Sequence, residues 1–148
     1  MTDAPDTATT LPAAAQRLVE AARFDGQGLI PCIAQQHDTG EVLMMAWMNR
    51  EALVETLATG RVCYFSRSRS RLWRKGETSG QVQALVDLRL DCDGDTLLAL
   101  VDQPGVACHT GRRNCFFHAV RGEAFTTIAE PLVDPATLYG GKAGATGA

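Results

Sequence analysis

A chain of 148 residues, 45% hydrophobic and 21% charged, has the length of one compact domain and can bury roughly two thirds of its unfolded surface without a disulfide staple. No apolar run approaches the roughly 18 residues of a membrane span, and the start MTDAPDTATTLPAAAQ lacks the basic-then-apolar order of a secretory leader and carries Asp residues that a transit peptide avoids, so a soluble, cytoplasmic protein with no membrane partner is expected. A net charge of −3 provides no overall attraction for nucleic acid.

The first element predicted is a short helix over residues 13–22, where Leu18, Val19 and Ala22 recur at helical spacing ahead of Gly26 and Gly28. Apolar runs at 29–34 and 42–47, with Asp38, Thr39 and Gly40 between them, read as a strand pair. Pro31 suggests an edge position for the first of them. Asn49 is placed to cap a helix over 50–59, with Met48 and Leu53 as a hydrophobic staple and Gly60 at its stop. Strands follow at 62–67, 82–90, 96–101, 115–121 and 124–128, all rich in β-branched, aromatic or Leu residues. The end GGKAGATGA has nothing to bury and reads as a flexible tail. The division expected is an extension with a short helix at 1–24, a single domain at 25–134 and a flexible tail at 135–148.

The chemistry concentrates between Arg61 and Cys115. In the strand QVQALVDLRLDCDGD, Val82, Ala84, Val86, Leu88 and Leu90 alternate onto one face and Cys92 continues it, while Asp87, Arg89 and Asp91 take the other. An extended course to Asp93 places Asp91 and Asp93 together, and Gly94 turns the chain to bring in Asp95. Carboxylates this close repel unless a cation that favours oxygen ligands neutralises them, which suits magnesium. A solvated acidic turn is the competing reading.

Five Cys without an export signal are an odd count for a disulfide framework. Cys92, Cys108 and Cys115, with His109 beside the second, offer soft ligands suited to zinc. Their spacing matches neither a zinc ribbon nor a finger, and inert buried thiols are common. Three protein ligands would leave a position for water, the arrangement of a hydrolytic rather than a structural zinc. Cys32 and Cys63 lie in apolar strands and read as inert, and Met44, Met45 and Met48 as core filler. His37 falls in a turn and His118 in a strand, which leaves His109 as the candidate catalyst.

In YFSRSRSRLWRKGETSGQ, Ser/Arg alternation in an extended segment would line Arg67, Arg69 and Arg71 along one face, suited to phosphate. Trp73, Arg74, Lys75, Gly76, Glu77, Thr78, Ser79 and Gly80 then supply an aromatic surface, cations and hydroxyl and backbone donors in a loop. A polar surface loop and a patch for single-stranded nucleic acid remain alternatives.

The runs LMMAWMNREAL, YFSRSRSRLWRKGETSGQ, DCDGDTLL and ACHTGRRNCF, in that order across about half of the chain, resemble the phosphoribosyl-AMP cyclohydrolase family. The resemblance implies an α+β, predominantly β, compact pseudo-barrel-like domain with one or two short helices, forming an intimate homodimer with metal sites at the interface. It implies one zinc per subunit held by Cys92 of one chain and Cys108 and Cys115 of the other, and magnesium on Asp91, Asp93 and Asp95. The substrate implied is 1-(5-phosphoribosyl)-AMP, whose purine N1–C6 bond is hydrolysed by zinc-activated water in histidine biosynthesis. His109 is similar to the family's active-site histidine, and its side-chain type titrates near neutrality as a base or proton shuttle should. Arg67, Arg69, Arg71, Arg74 and Lys75 are the expected phosphate contacts, and Trp73, Glu77, Thr78, Ser79 and Gly80 the loop that closes over the base. The residues after Glu130 are too few for the pyrophosphatase domain fused downstream in some relatives, so a monofunctional form is expected. A zinc-stabilised nucleic-acid-binding module and a thiol redox or metal-storage protein are the other two function classes to be separated.

Overall fold

The computed structural model describes residues 11–138, so the expectations for residues 1–10 and for the tail beyond 138 lie outside the described residues. Along the chain come α1 (Ala13–Ala21), β1 (Ile30–Gln36), β2 (Val42–Met48), α2 (Arg50–Thr59), β3 (Cys63–Ser66), β4 (Arg71–Arg74), β5 (Ala84–Leu90), β6 (Leu97–Asp102), β7 (His118–Arg121), β8 (Ala124–Thr127) and α3 (Pro135–Leu138). The protein is small and β-rich with few short helices, as expected from its apolar runs. Residues 135–138, expected to open the tail, make a single helical turn that buries Leu138.

The centre is a four-stranded sheet in the order β2-β1-β6-β5. The β1/β2 and β5/β6 pairs are antiparallel, and β1/β6 is parallel. Two separate hairpins, β3/β4 and β7/β8, accompany it. These sheets do not close into a barrel, so the pseudo-barrel expectation is corrected to a mixed open sheet with two satellite hairpins.

Alternation along β1 buries Ile30, Cys32 and Ala34, and across it Leu97, Ala99 and Val101 of β6 face the same core as Leu43 and Met48 of β2. Fully burying such a side chain contributes about 1.5–3 kcal/mol, and this layer fixes the register of everything attached to it. Pro31 does not mark an edge, because β1 lies between β2 and β6. The ring is tolerated there because the parallel register with β6 begins only at Cys32.

The expected face of β5 is also corrected. The register slips between Leu85 and Asp87, leaving Val86 as a bulge that is 55% exposed. Leu88 and Leu90 stand opposite the buried Ala99 and Leu97 as alternation predicts, but ahead of the bulge Leu85, rather than Ala84 or Val86, stands opposite the buried Val101. One extra residue inverts the predicted parity on the N-terminal side of the bulge alone.

The helix α2 begins and ends as its sequence dictates. The Asn49 side chain accepts the Ala52 N–H at 2.8 Å, and Gly60 closes the helix at φ 75°. Ala52, Leu53 and Thr56 are its buried face. The Thr56 hydroxyl lies 2.9 Å from the Ala52 carbonyl and accepts the Cys63 N–H at 2.9 Å, tying α2 to the start of β3. A Thr56→Val substitution keeps the shape but strands that buried N–H, at a cost of about 1–3 kcal/mol. Thermal unfolding of the variant is expected to shift down by on the order of 5 °C, and an unshifted melt would contradict this link.

Candidate functional site

The loop that follows β6 places two of the three expected thiols together. The N–H groups of Ala107 and Cys108 donate to the carbonyls of Arg113 and Arg112 at 3.0 and 3.2 Å, so residues 107–113 double back on themselves. That reversal is why a gap of seven positions brings Cys108 and Cys115 near enough for each thiol to feel the other. The Cys115 N–H donates to the Leu43 carbonyl at 2.8 Å, so the return limb is moored on β2. The Thr110 hydroxyl donates to the Cys108 sulfur at 3.0 Å.

A cavity of about 200 Å³ opens beside this pair, and its walls include Cys115, His109, Lys75, Trp73, Thr78 and Ser79. Burial pushes the Cys115 thiol up to about 12, helped by the neighbouring Cys108 and opposed by Lys75. Lys75 is only 7% exposed. Its burial lowers the ammonium's pKa, and the Cys115 and Cys108 sulfurs pull it back up. A buried cation facing two thiols favours their anionic form, and an imidazole at the same wall adds a group able to carry a proton.

Cys92 stands apart. The extended course expected through Asp93 ends at Leu90, and residues 92–95 turn. Cys92 is exposed rather than continuing the apolar face. The turn still gathers Asp91, Asp93 and Asp95, whose ligand oxygens lie within 4.8 Å of one another, and among the described residues this is the one cluster of three or more His, Cys, Asp or Glu ligand atoms. The Asp91 carboxylate loses some hydration, which alone would raise its pKa, but the Thr96 and Asp95 N–H groups at 3.1 and 3.0 Å outweigh that and lower it. A hydrogen bond to Asp95 and the charges of Asp91 and Asp95 raise Asp93. Crowded carboxylates of this kind suit a hard divalent cation.

The arginine-rich stretch differs from its expected form. Residues 67–70 are the turn of the β3/β4 hairpin, with Ser70 at φ 52°, so Arg67, Arg69 and Arg71 do not line one face of a strand. Arg67 stacks 4.8 Å over the Trp47 ring. Arg74 turns toward α2, donating to Glu55 at 2.6 and 2.9 Å. Glu77 accepts the Arg74 N–H at 2.8 Å, and both residues line a second cavity with Lys75. Of the expected substrate contacts, Trp73, Lys75, Thr78 and Ser79 share the thiol cavity, whereas Gly80 lines neither cavity. Trp73 also packs on Tyr64 at 5.3 Å between ring centres.

Several neighbours of the site were not anticipated. Met45 is 43% exposed and lines the cavity with Met44 and Ala46, so it is not core filler. Gln83 and Gln103 are fully buried, and Gln83 Nε2 lies 3.3 Å from the sulfur of Met44 at its wall. Nothing in the uniformly apolar β2 sequence marks Met45 as exposed, and nothing distinguishes those glutamines from surface ones.

A profile of the phosphoribosyl-AMP cyclohydrolase family matches residues 44–117. The chain is 75% identical over 119 residues to the phosphoribosyl-AMP cyclohydrolase of Granulibacter bethesdensis, covering 80% of this chain and 93% of that one. It is 66% identical over 135 residues to the enzyme of that name from Alkalilimnicola ehrlichii, covering 91% and 92%. The corresponding Rhodospirillum rubrum protein is 68% identical over 124 residues, covering 82% and 86%.

Thiol environment sets alkylation rate. In chelator-treated protein near pH 8, exposed Cys92 is expected to react first with iodoacetamide, and Cys32 and Cys63, both pushed up to about 12 by burial, to stay unmodified until the protein unfolds. Peptide mapping that found Cys32 or Cys63 labelled as fast as Cys92 would contradict this placement.

Proposed function

The chain belongs to the phosphoribosyl-AMP cyclohydrolase family, and we propose that it opens the purine ring of 1-(5-phosphoribosyl)-AMP at N1–C6 with water activated at a zinc site shared between two copies of the chain. It is a hydrolase, and its family's name supports a role in histidine biosynthesis. Family membership sets aside the nucleic-acid-binding and redox or storage alternatives. The observation that carries the reading is Cys115, with Cys108 as its neighbour, at the wall of a cavity that also holds His109 and Lys75.

The donor set fits zinc. Two neighbouring thiols need one further soft ligand to leave a catalytic position open, and exposed Cys92 of a second copy is free to supply it. Zinc held there would supply Lewis acidity sufficient to bring the pKa of a water to about 7. Asp91, Asp93 and Asp95 would hold magnesium beside it and offset substrate charge.

A dimer gives the exposed apolar surface a partner. Val120 and Phe125 of the β7/β8 hairpin are 74% and 76% exposed, with Phe116 and Leu132 near them in sequence also exposed. Apolar groups concentrated in this way mark an interaction surface. The cavity of about 200 Å³ is also smaller than the roughly 300–1,000 Å³ of enclosed small-molecule sites, so walls from a second copy would complete it.

Within the chain, Trp73 and the Met44–Met45 wall would hold the purine, and Thr78 and Ser79 would donate to polar atoms of the substrate. His109 would take a proton from the attacking water and return one to the departing ring nitrogen. Arg67, Arg69 and Arg71, at the exposed hairpin, would meet the phosphates. Arg74 and Glu77, already bonded to Glu55 and to the Arg74 backbone, would instead brace the loop.

Purified protein supplied with zinc, magnesium and phosphoribosyl-AMP is expected to show the absorbance change of purine opening. Cys108→Ser should abolish turnover and lower zinc content together, and turnover persisting without bound zinc would contradict the reading. His109→Ala should keep its zinc and lose about 10²–10⁴-fold in kcat. Unchanged kcat would remove His109 from the proton path.

A further inference from the structure

We infer that Gln83 and Gln103 are positioning residues for ring opening, their buried side chains forming a directional hydrogen-bond chain that keeps the loop bearing Cys108, His109 and Cys115 in register with the loop bearing Lys75. Both side chains are fully buried. The Gln103 Nε2 donates to the Val106 carbonyl at 2.7 Å and lies 3.3 Å from the Gln81 carbonyl. Carbonyls only accept, so the amide has one possible orientation. Its Oε1 must therefore accept, and it does so from Gln83 Nε2 at 2.8 Å. Gln83 Oε1 then accepts the hydroxyl of fully buried Tyr64 at 2.8 Å. Each group dictates the next, from β3 to the backbone of Val106, two residues before Cys108.

Further contacts reinforce the same junction. Gln81 Oε1 accepts the Val106 N–H at 2.9 Å, and a Cβ added at Gly105 would overlap that oxygen. The Arg113 guanidinium donates to the carbonyls of Gln103 and Gly105. Gln83 Nε2 also approaches the Met44 sulfur at 3.3 Å, and Met44 lines the cavity. An apolar pair would fill this volume equally well. Amides with a single allowed orientation also fix where the loops lie relative to each other.

The inference rests on the thiol cavity being the site of ring opening. The test measures kcat, KM and thermal midpoint for Gln83→Met, Gln103→Met and the double variant, with Thr56→Val as a control for lost stability and Cys108→Ser for the site itself. Each glutamine variant is expected to lose kcat on the order of 10²-fold, the effect of a displacement of about 1 Å at a reacting group, with KM changed far less. The double variant should lose no more than the worse single one, because a chain broken once is broken. Thr56→Val should melt earlier and keep its kcat. Should Gln103→Met fail to fold, Gly105→Ala pushes Gln81 off Val106 without removing a buried amide and should lower kcat in the same direction. Wild-type kcat in the folded variants, whatever happens to KM or to the melt, overturns the inference. Turnover surviving in Cys108→Ser would instead overturn the site reading on which it rests.

Discussion

Irregular backbone packed against a core must find partners for every N–H and carbonyl it buries. The loop between β6 and β7 meets that requirement through Gln103, Gln81, the Arg113 guanidinium and the pairing of residues 107 and 108 with 113 and 112. The rest of the site depends on this solution. Cys108, His109 and Cys115 lie in no strand of their own, and their mutual placement is the placement of that loop.

The sheet contributes the other wall. Parallel pairing of β1 with β6 sends the chain from the end of β6 out beside β2, where the Cys115 N–H finds the Leu43 carbonyl. The β3/β4 hairpin then delivers Trp73 and Lys75 from the opposite side, and the Lys75 N–H is fixed to the Val62 carbonyl at 3.1 Å. A buried ammonium is costly on its own, and the two sulfurs beside it are what reduce the cost. Cys92 and the carboxylate turn lie at the end of β5, outside this arrangement. The proposed sharing of a site between two copies is supported by a division in which each chain carries two of the proposed zinc ligands in one place and the third in another.

Legibility in the sequence followed the range of the interactions. The helix α2 was readable because its signals are local, Asn49 at one end and Gly60 at the other. The β1/β2 pair was readable for the same reason, and the motifs that carry the family resemblance contained Trp73, Lys75, Thr78, Ser79, His109 and Cys115 of the cavity wall. Features fixed by distant partners were hidden. The bulge at Val86 is set by register against β6, not by any residue in β5. Ser/Arg alternation was compatible with a strand until pairing of β3 with β4 made residues 67–70 its turn. Gln83 and Gln103 could not be told from surface glutamines, because their significance lies in partners 19, 20 and 39 positions away.

Subunit complementation shows whether the ring-opening site is assembled from the thiols of two chains. Cys92→Ala and Cys108→Ser chains, each inactive alone, are mixed, dissociated and reassembled, and turnover of phosphoribosyl-AMP is followed. Random pairing makes half of the dimers mixed, each with one intact site and one doubly damaged site, so recovery to about a quarter of wild-type activity is expected for a two-fold symmetric dimer. Reassembled mixed dimers that remained inactive would contradict a site shared in this way.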